Sequence, residues 1–112
     1  MKMTREFIII YTTFPDLKTA KKITNMLVKA KLIACGNIFK IFSIYKWQGQ
    51  IEKRPEYGAF IKTAKKNYKK VEEYIKNNHP YEVPEIIFWA IEKGYKPYLD
   101  WIRESISAGR FT

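Results

Sequence analysis

The chain carries one cysteine, one histidine and five scattered glycines in 112 residues. A lone Cys35 cannot close an internal disulfide, and a reducing, cytoplasmic setting is the expectation. With no C-x-x-C there is no structural zinc knuckle of the usual kind. One histidine and no G-x-S-x-G leave no Ser/His/Asp set for acyl transfer. The glycines form neither a P-loop nor a G-x-G-x-x-G turn. No catalysed reaction is therefore expected, and no cofactor is needed for folding. Long apolar runs are missing too: nothing approaches the roughly 18 residues of a membrane span. The short run Phe7 to Tyr11, after Lys2 and Arg5, lacks a small-residue cleavage site and does not read as a signal peptide. Acidic residues are scarce, 11 against 21 basic ones, for a net charge of +10. Such an excess suits phosphates or anionic surfaces. A Lys-, Ile- and Tyr-rich chain from a hot or AT-rich source carries the same excess, and that reading is preferred.

What remains is a 46% apolar chain, too hydrophobic for disorder and the right length for a single domain over 1–112. Residues 6–12 are β-branched and aromatic and predict a strand covered on both faces. Pro15 and Asp16 open a helix to about Lys31, with Ala20, Ile23, Leu27 and Ala30 on its apolar stripe. Residues 33–47 are extended, with a bend expected near Gly36-Asn37. Gln48-Gly49 is a turn, and a second extended run reaches Thr63, forming a hairpin. Pro55 implies an edge or a bulge there. Lys65 to Asn78 predicts a second helix burying Tyr68, Val71, Tyr74 and Ile75. Residues 86–91 predict a fourth strand. Pro97 starts a last helix, and Gly109 to Thr112 are expected to fray.

The order β-α-β-β-α-β plus a helix is the α+β, ferredoxin-like split βαβ pattern. Right-handed crossovers place both main helices on one face of an antiparallel sheet. The other face, bearing aromatics such as Phe39, Tyr45 and Trp47, would be a larger apolar patch than monomers tolerate. A homo-oligomer with packed sheets is the expectation, with the long hairpin reaching a neighbour's sheet edge.

The densest chemistry lies in His79-Pro-Tyr-Glu-Val-Pro-Glu85. Two prolines stiffen it, and a stiff extended connector is expected. His79 is the candidate metal ligand, because imidazole suits copper and zinc. The alternative for His79 is a helix-end histidine favoured by the helix dipole. Cys35 reads as a small buried residue. Lys62, mid-strand, either snorkels from an edge or lines a pocket facing an anion or Glu85. A nucleic-acid surface is not expected, since the aromatic strand motif is only echoed by Glu56-Tyr-Gly-Ala-Phe-Ile-Lys62 and the lysines lie on the helices.

Several stretches together resemble the divalent-cation tolerance protein CutA family: Tyr11-Thr-Thr-Phe-Pro-Asp16, Lys31-Leu-Ile-Ala-Cys-Gly-Asn-Ile38, Ser43-Ile-Tyr-Lys-Trp-Gln-Gly-Gln-Ile-Glu52, Ile61-Lys-Thr63, His79-Pro-Tyr-Glu-Val-Pro-Glu-Ile86 and Tyr98-Leu-Asp-Trp-Ile102. The resemblance implies a homotrimer with inward sheets, similar to PII-type signalling proteins, a divalent cation such as copper near His79, and a role in metal tolerance. Tyr11 stands where some members have a cysteine, and Asn78 where some have a second histidine. The PII likeness implies an alternative: an inter-subunit cleft lined by Tyr45, Trp47, Lys62, Tyr81, Glu82 and Glu85 that senses a small anionic ligand.

Overall fold

A computed structural model describes residues 5–107. The fraying expected of Gly109 to Thr112 lies outside the described residues. The elements are β1 (Phe7–Phe14), α1 (Leu17–Lys29), β2 (Cys35–Trp47), β3 (Gln50–Ala64), a 3-10 turn (Lys65–Asn67), α2 (Tyr68–Asn78), β4 (Ile86–Ala90) and α3 (Lys96–Ser105). The strands form one antiparallel sheet in the order β2-β3-β1-β4. Each helix crossover from β1 to β2 and from β3 to β4 skips one strand, as the split βαβ order requires.

Local chemistry sets the boundaries. The Asp16 carboxylate accepts from the Thr19 N–H at 2.7 Å and caps α1. The other end of α1 closes as a Schellman motif: Leu32 N–H donates to Leu27 O and Lys31 N–H to Val28 O. Lys31 takes the left-handed position, φ 59°, that glycine usually fills. The hairpin turns on Gln48 (φ 51°) and Gly49 (φ 80°), both left-handed, as a two-residue primed turn demands. The β2–β3 register runs unbroken from Cys35↔Lys62 to Trp47↔Gln50. Pro55 therefore sits on an edge and not at a bulge: β1 ends at Phe14↔Tyr57, so nothing in the chain needs the missing N–H.

Alternation divides the sheet. Ile8, Ile10, Phe14, Ala59 and Ile61 face α1 and α2 and pack on Ala20, Ile23, Leu27, Val71 and Ile75, all buried. Tyr68 and Tyr74, expected in the buried stripe of α2, are only partly buried. On the opposite face α3 covers one end, where Ile102 and Ile106 pack on Phe7, Ala34 and Ala64. Arg103 pins this helix, donating to Glu6 through Nε at 3.1 Å and Nη2 at 3.0 Å. The middle of that face is aromatic. Tyr11, Phe39, Phe60 and Trp89 form a chain of rings with centroids 5.0–6.3 Å apart along its nearest pairs. Gly58 makes room for it, since a Cβ there would lie 3.1 Å from the Phe39 ring and 3.2 Å from the Tyr11 ring. Beyond β1 the hairpin continues as a two-stranded arm over residues 41–56. Seven residues per strand give a reach of roughly 23 Å. Phe42, Ile44 and Ile51 on this arm are 65%, 64% and 59% exposed.

Candidate functional site

The His79–Glu85 segment folds as a bent loop, not as the extended connector expected from its two prolines. His79 is extended (φ −90°, ψ 140°) as a residue before proline should be. The chain then bends through residues 80–83. The cause is local: the Tyr81 N–H folds back to donate to His79 Nδ1 at 3.1 Å. With Nδ1 accepting, the ring proton sits on Nε2 and is donated to Thr13 O at 2.7 Å. The ring also stacks on Phe14, centroids 5.3 Å apart. His79 is thus a strut between β1 and the loop, with both nitrogens engaged. It had been expected at a metal; in this conformation it offers no free lone pair.

The bend swings Tyr81 across to the arm, where its hydroxyl donates to the Glu56 carboxylate. Glu56 is 4% exposed. Burial and the Glu56 charge hold the Tyr81 phenol un-ionised, pushed up to about 12. Glu85 lies in the same field: burial and then the Glu56 charge raise it above the ordinary carboxylate value. Tyr11 is raised as well, by burial and then by Glu85 and Glu56.

Between loop and arm opens a cleft of about 640 Å³. The arm contributes Tyr45, Trp47, Glu52, Arg54 and Glu56. The loop contributes Tyr81, Glu82, Val83 and Glu85. Of the six residues expected to line an inter-subunit cleft, the structure brings Tyr45, Trp47, Tyr81, Glu82 and Glu85 together within one chain. Lys62 is not among them. It lies on the same strand and face as Glu56 but six residues along, roughly 20 Å away at strand rise. There its ammonium donates to Asn37 Oδ1 and lies 3.9 Å from Cys35 Sγ, which is itself 3.9 Å from the Tyr98 hydroxyl. Glu56, Glu52 and Arg54 were missed on sequence. The alternation of β3 places Glu56 on the face of Phe60 and Lys62, a signal that could have found it.

The cleft's charges also correct the ligand sign. Four carboxylates face one guanidinium, and that guanidinium is 3.6 Å from Glu52. An anion meets repulsion there. As for metal, the donors are oxygens only, and no group of three His, Cys, Asp or Glu converges among the described residues. The donor set fits a hard divalent cation in part and copper poorly, since copper favours nitrogen and sulfur. The nucleic-acid reading is not favoured either. The exposed lysines of α1 and α2 and the ring chain of Tyr11 and Phe60 lie on opposite faces of the sheet. No helix among the described residues is long and apolar enough to cross a membrane.

Comparison with known proteins agrees with the motifs read from the sequence. Residues 8–105 match the family model of the CutA1 divalent ion tolerance protein. The divalent-cation tolerance protein CutA of Pyrococcus horikoshii is 42% identical over 97 residues, covering 87% of this chain and 95% of the relative. Human protein CutA is 39% identical over 95 residues, covering 84% of this chain and 53% of the relative. A solved structure described as the periplasmic divalent cation tolerance protein CutA from Archaeoglobus fulgidus superposes with a TM-score of 0.88 at 39% identity, covering 90% of this chain and 99% of that one. CutA from Xylella fastidiosa gives 0.88 at 34% identity, covering 91% and 99%. With nearly the whole described chain matched in both sequence and backbone, this protein belongs to the CutA divalent ion tolerance family.

Proposed function

We propose that the protein serves divalent-cation tolerance as a non-catalytic, cytoplasmic homotrimer, and that the cation is met in the cleft beside the His79–Glu85 loop. The observation that carries this reading is the gathering of four carboxylates in one cleft of a chain whose net charge is +10. Burial and the Glu56 charge raise the cost of ionising Glu85, and a bound cation relieves that cost. Glu56 and Glu85 are the proposed oxygen donors. Two carboxylates leave most of a coordination shell to water or to a second copy of the chain. His79 holds the loop in this scheme, and contacts copper only if it releases Tyr81 or Thr13. The trimer is supported by the ring chain on the half-covered face and by the exposed Phe42, Ile44 and Ile51 of the arm. Sedimentation should give three chains per particle at micromolar concentration. Calorimetry with Mn2+ and Cu2+ tests the site: Glu85→Gln should weaken Mn2+ at least several-fold. Equal affinity in wild type and Glu85→Gln removes the cleft from the cation's path.

A further inference from the structure

Metal alone does not account for what lines this cleft. Its volume, about 640 Å³, is in the range that holds small organic molecules, roughly 300–1,000 Å³. A single water occupies about 30 Å³ of liquid, so an ion with a few waters leaves much of it unfilled. The walls are aromatic and apolar as well as acidic. Tyr45 and Trp47 stand on the arm, and Tyr81 and Val83 stand on the loop. A hydrated ion gains nothing from such walls.

We propose that the cleft is a site for a small organic cation, of the aliphatic di- or polyamine class. Three features converge on that chemistry. Carboxylates occur on both walls, Glu52 and Glu56 from the arm and Glu82 and Glu85 from the loop, so ammonium groups at two ends of one molecule each find a partner. The aromatic faces of Tyr45, Trp47 and Tyr81 attract a cation through their ring quadrupoles, with Trp the strongest of the three ring types. Val83 and the rings also offer the apolar contact that methylene spacers need. The Arg54 guanidinium, which also interacts with the Tyr45 and Tyr81 hydroxyls, stands 3.6 Å from Glu52, and this chain's own Lys62 ammonium lies outside the cleft. This assignment does not rest on the metal reading. A metal uses the carboxylates only, whereas an amine uses the carboxylates and the rings.

Calorimetry of the full chain at physiological salt separates the two, with spermidine, putrescine and Mn2+ as probes. Spermidine should bind, more tightly than putrescine. Trp47→Leu keeps apolar bulk but removes the π face, and should weaken spermidine about tenfold while leaving Mn2+ unchanged. Glu85→Gln should weaken both. Lys62→Gln should change neither. Tyr45→Leu reads the same ring contribution if Trp47→Leu does not fold. No spermidine binding, or binding that ignores both ring substitutions, overturns the proposal, whatever Mn2+ does. Loss of Mn2+ binding alone overturns the metal reading and leaves this one standing.

Discussion

The two ends of the half-covered sheet face carry opposite charge and opposite finish. At one end α3 lies across Phe7, Ala34 and Ala64, and the half-buried Lys62 ammonium donates to Asn37 beside Cys35. At the other end no helix among the described residues covers the face. Glu56 and Glu85 share a cleft with aromatic walls between the bent loop and the arm, with Thr13 of β1 also lining it. The same strand, β3, supplies both Lys62 and Glu56. One end is completed by the chain's own packing and the other is left for something else to complete. That contrast separates a structural basic site from a ligand-accessible acidic one, although both consist of strand charges on one face.

The sharpest way to break the contrast is to damage the finished end. Ile102 is fully buried under α3. Ile102→Ala should cost about 2–5 kcal/mol of unfolding free energy, measured by denaturant titration, with cation binding in the cleft unchanged in the protein that remains folded. If cleft binding falls in proportion, the two ends are coupled and the separation fails.

A smaller effect is expected at the open end. Tyr81→Phe removes the hydroxyl that partners the buried Glu56 carboxylate. Leaving that group short of a donor should cost about 1–3 kcal/mol. It should also raise the affinity for Mn2+, because the freed carboxylate oxygen becomes available. Unaltered stability would mean that the hydroxyl contact is not formed in solution.

The smallest effect is a pH signature. Glu85 is held above its ordinary value by burial and by Glu56. A carboxyl raised in the folded state binds its proton more tightly there than in the unfolded chain. Its contribution favours folding below the unfolded value near 4.5 and is lost as pH rises through the raised value. Glu85→Gln should therefore melt about a degree or two higher than wild type at pH 7, and the gap should close toward pH 4. A gap that widens on acidification contradicts the raised carboxyl.

Much of the fold was legible in the sequence, and for physical reasons. Apolar periodicity, Asp16 as a cap, Gly49 in the turn and Pro97 in the last helix's first turn are local signals, and each one lies where such chemistry puts it. The motifs around His79 pointed correctly to the family. The role of His79 could not be read, because it depends on Thr13 O, a carbonyl 66 residues away in sequence. Glu56 was equally hidden: its burial depends on Tyr81 folding across from another element. For Lys62 the sequence shows which face of β3 it shares with Glu56, while its distance from this chain's cleft follows from the register.

The central claim, that cations enter at the acidic end and not at the Lys62–Cys35 end, has a direct test in paramagnetic broadening of backbone amide NMR signals by Mn2+. The account predicts that sub-stoichiometric Mn2+ broadens Tyr81, Glu82 and Glu85 together with Tyr45 to Glu56, while Cys35, Asn37, Lys62 and Tyr98 stay sharp. Broadening centred on Cys35 and Lys62, or spread evenly over the chain, would contradict it.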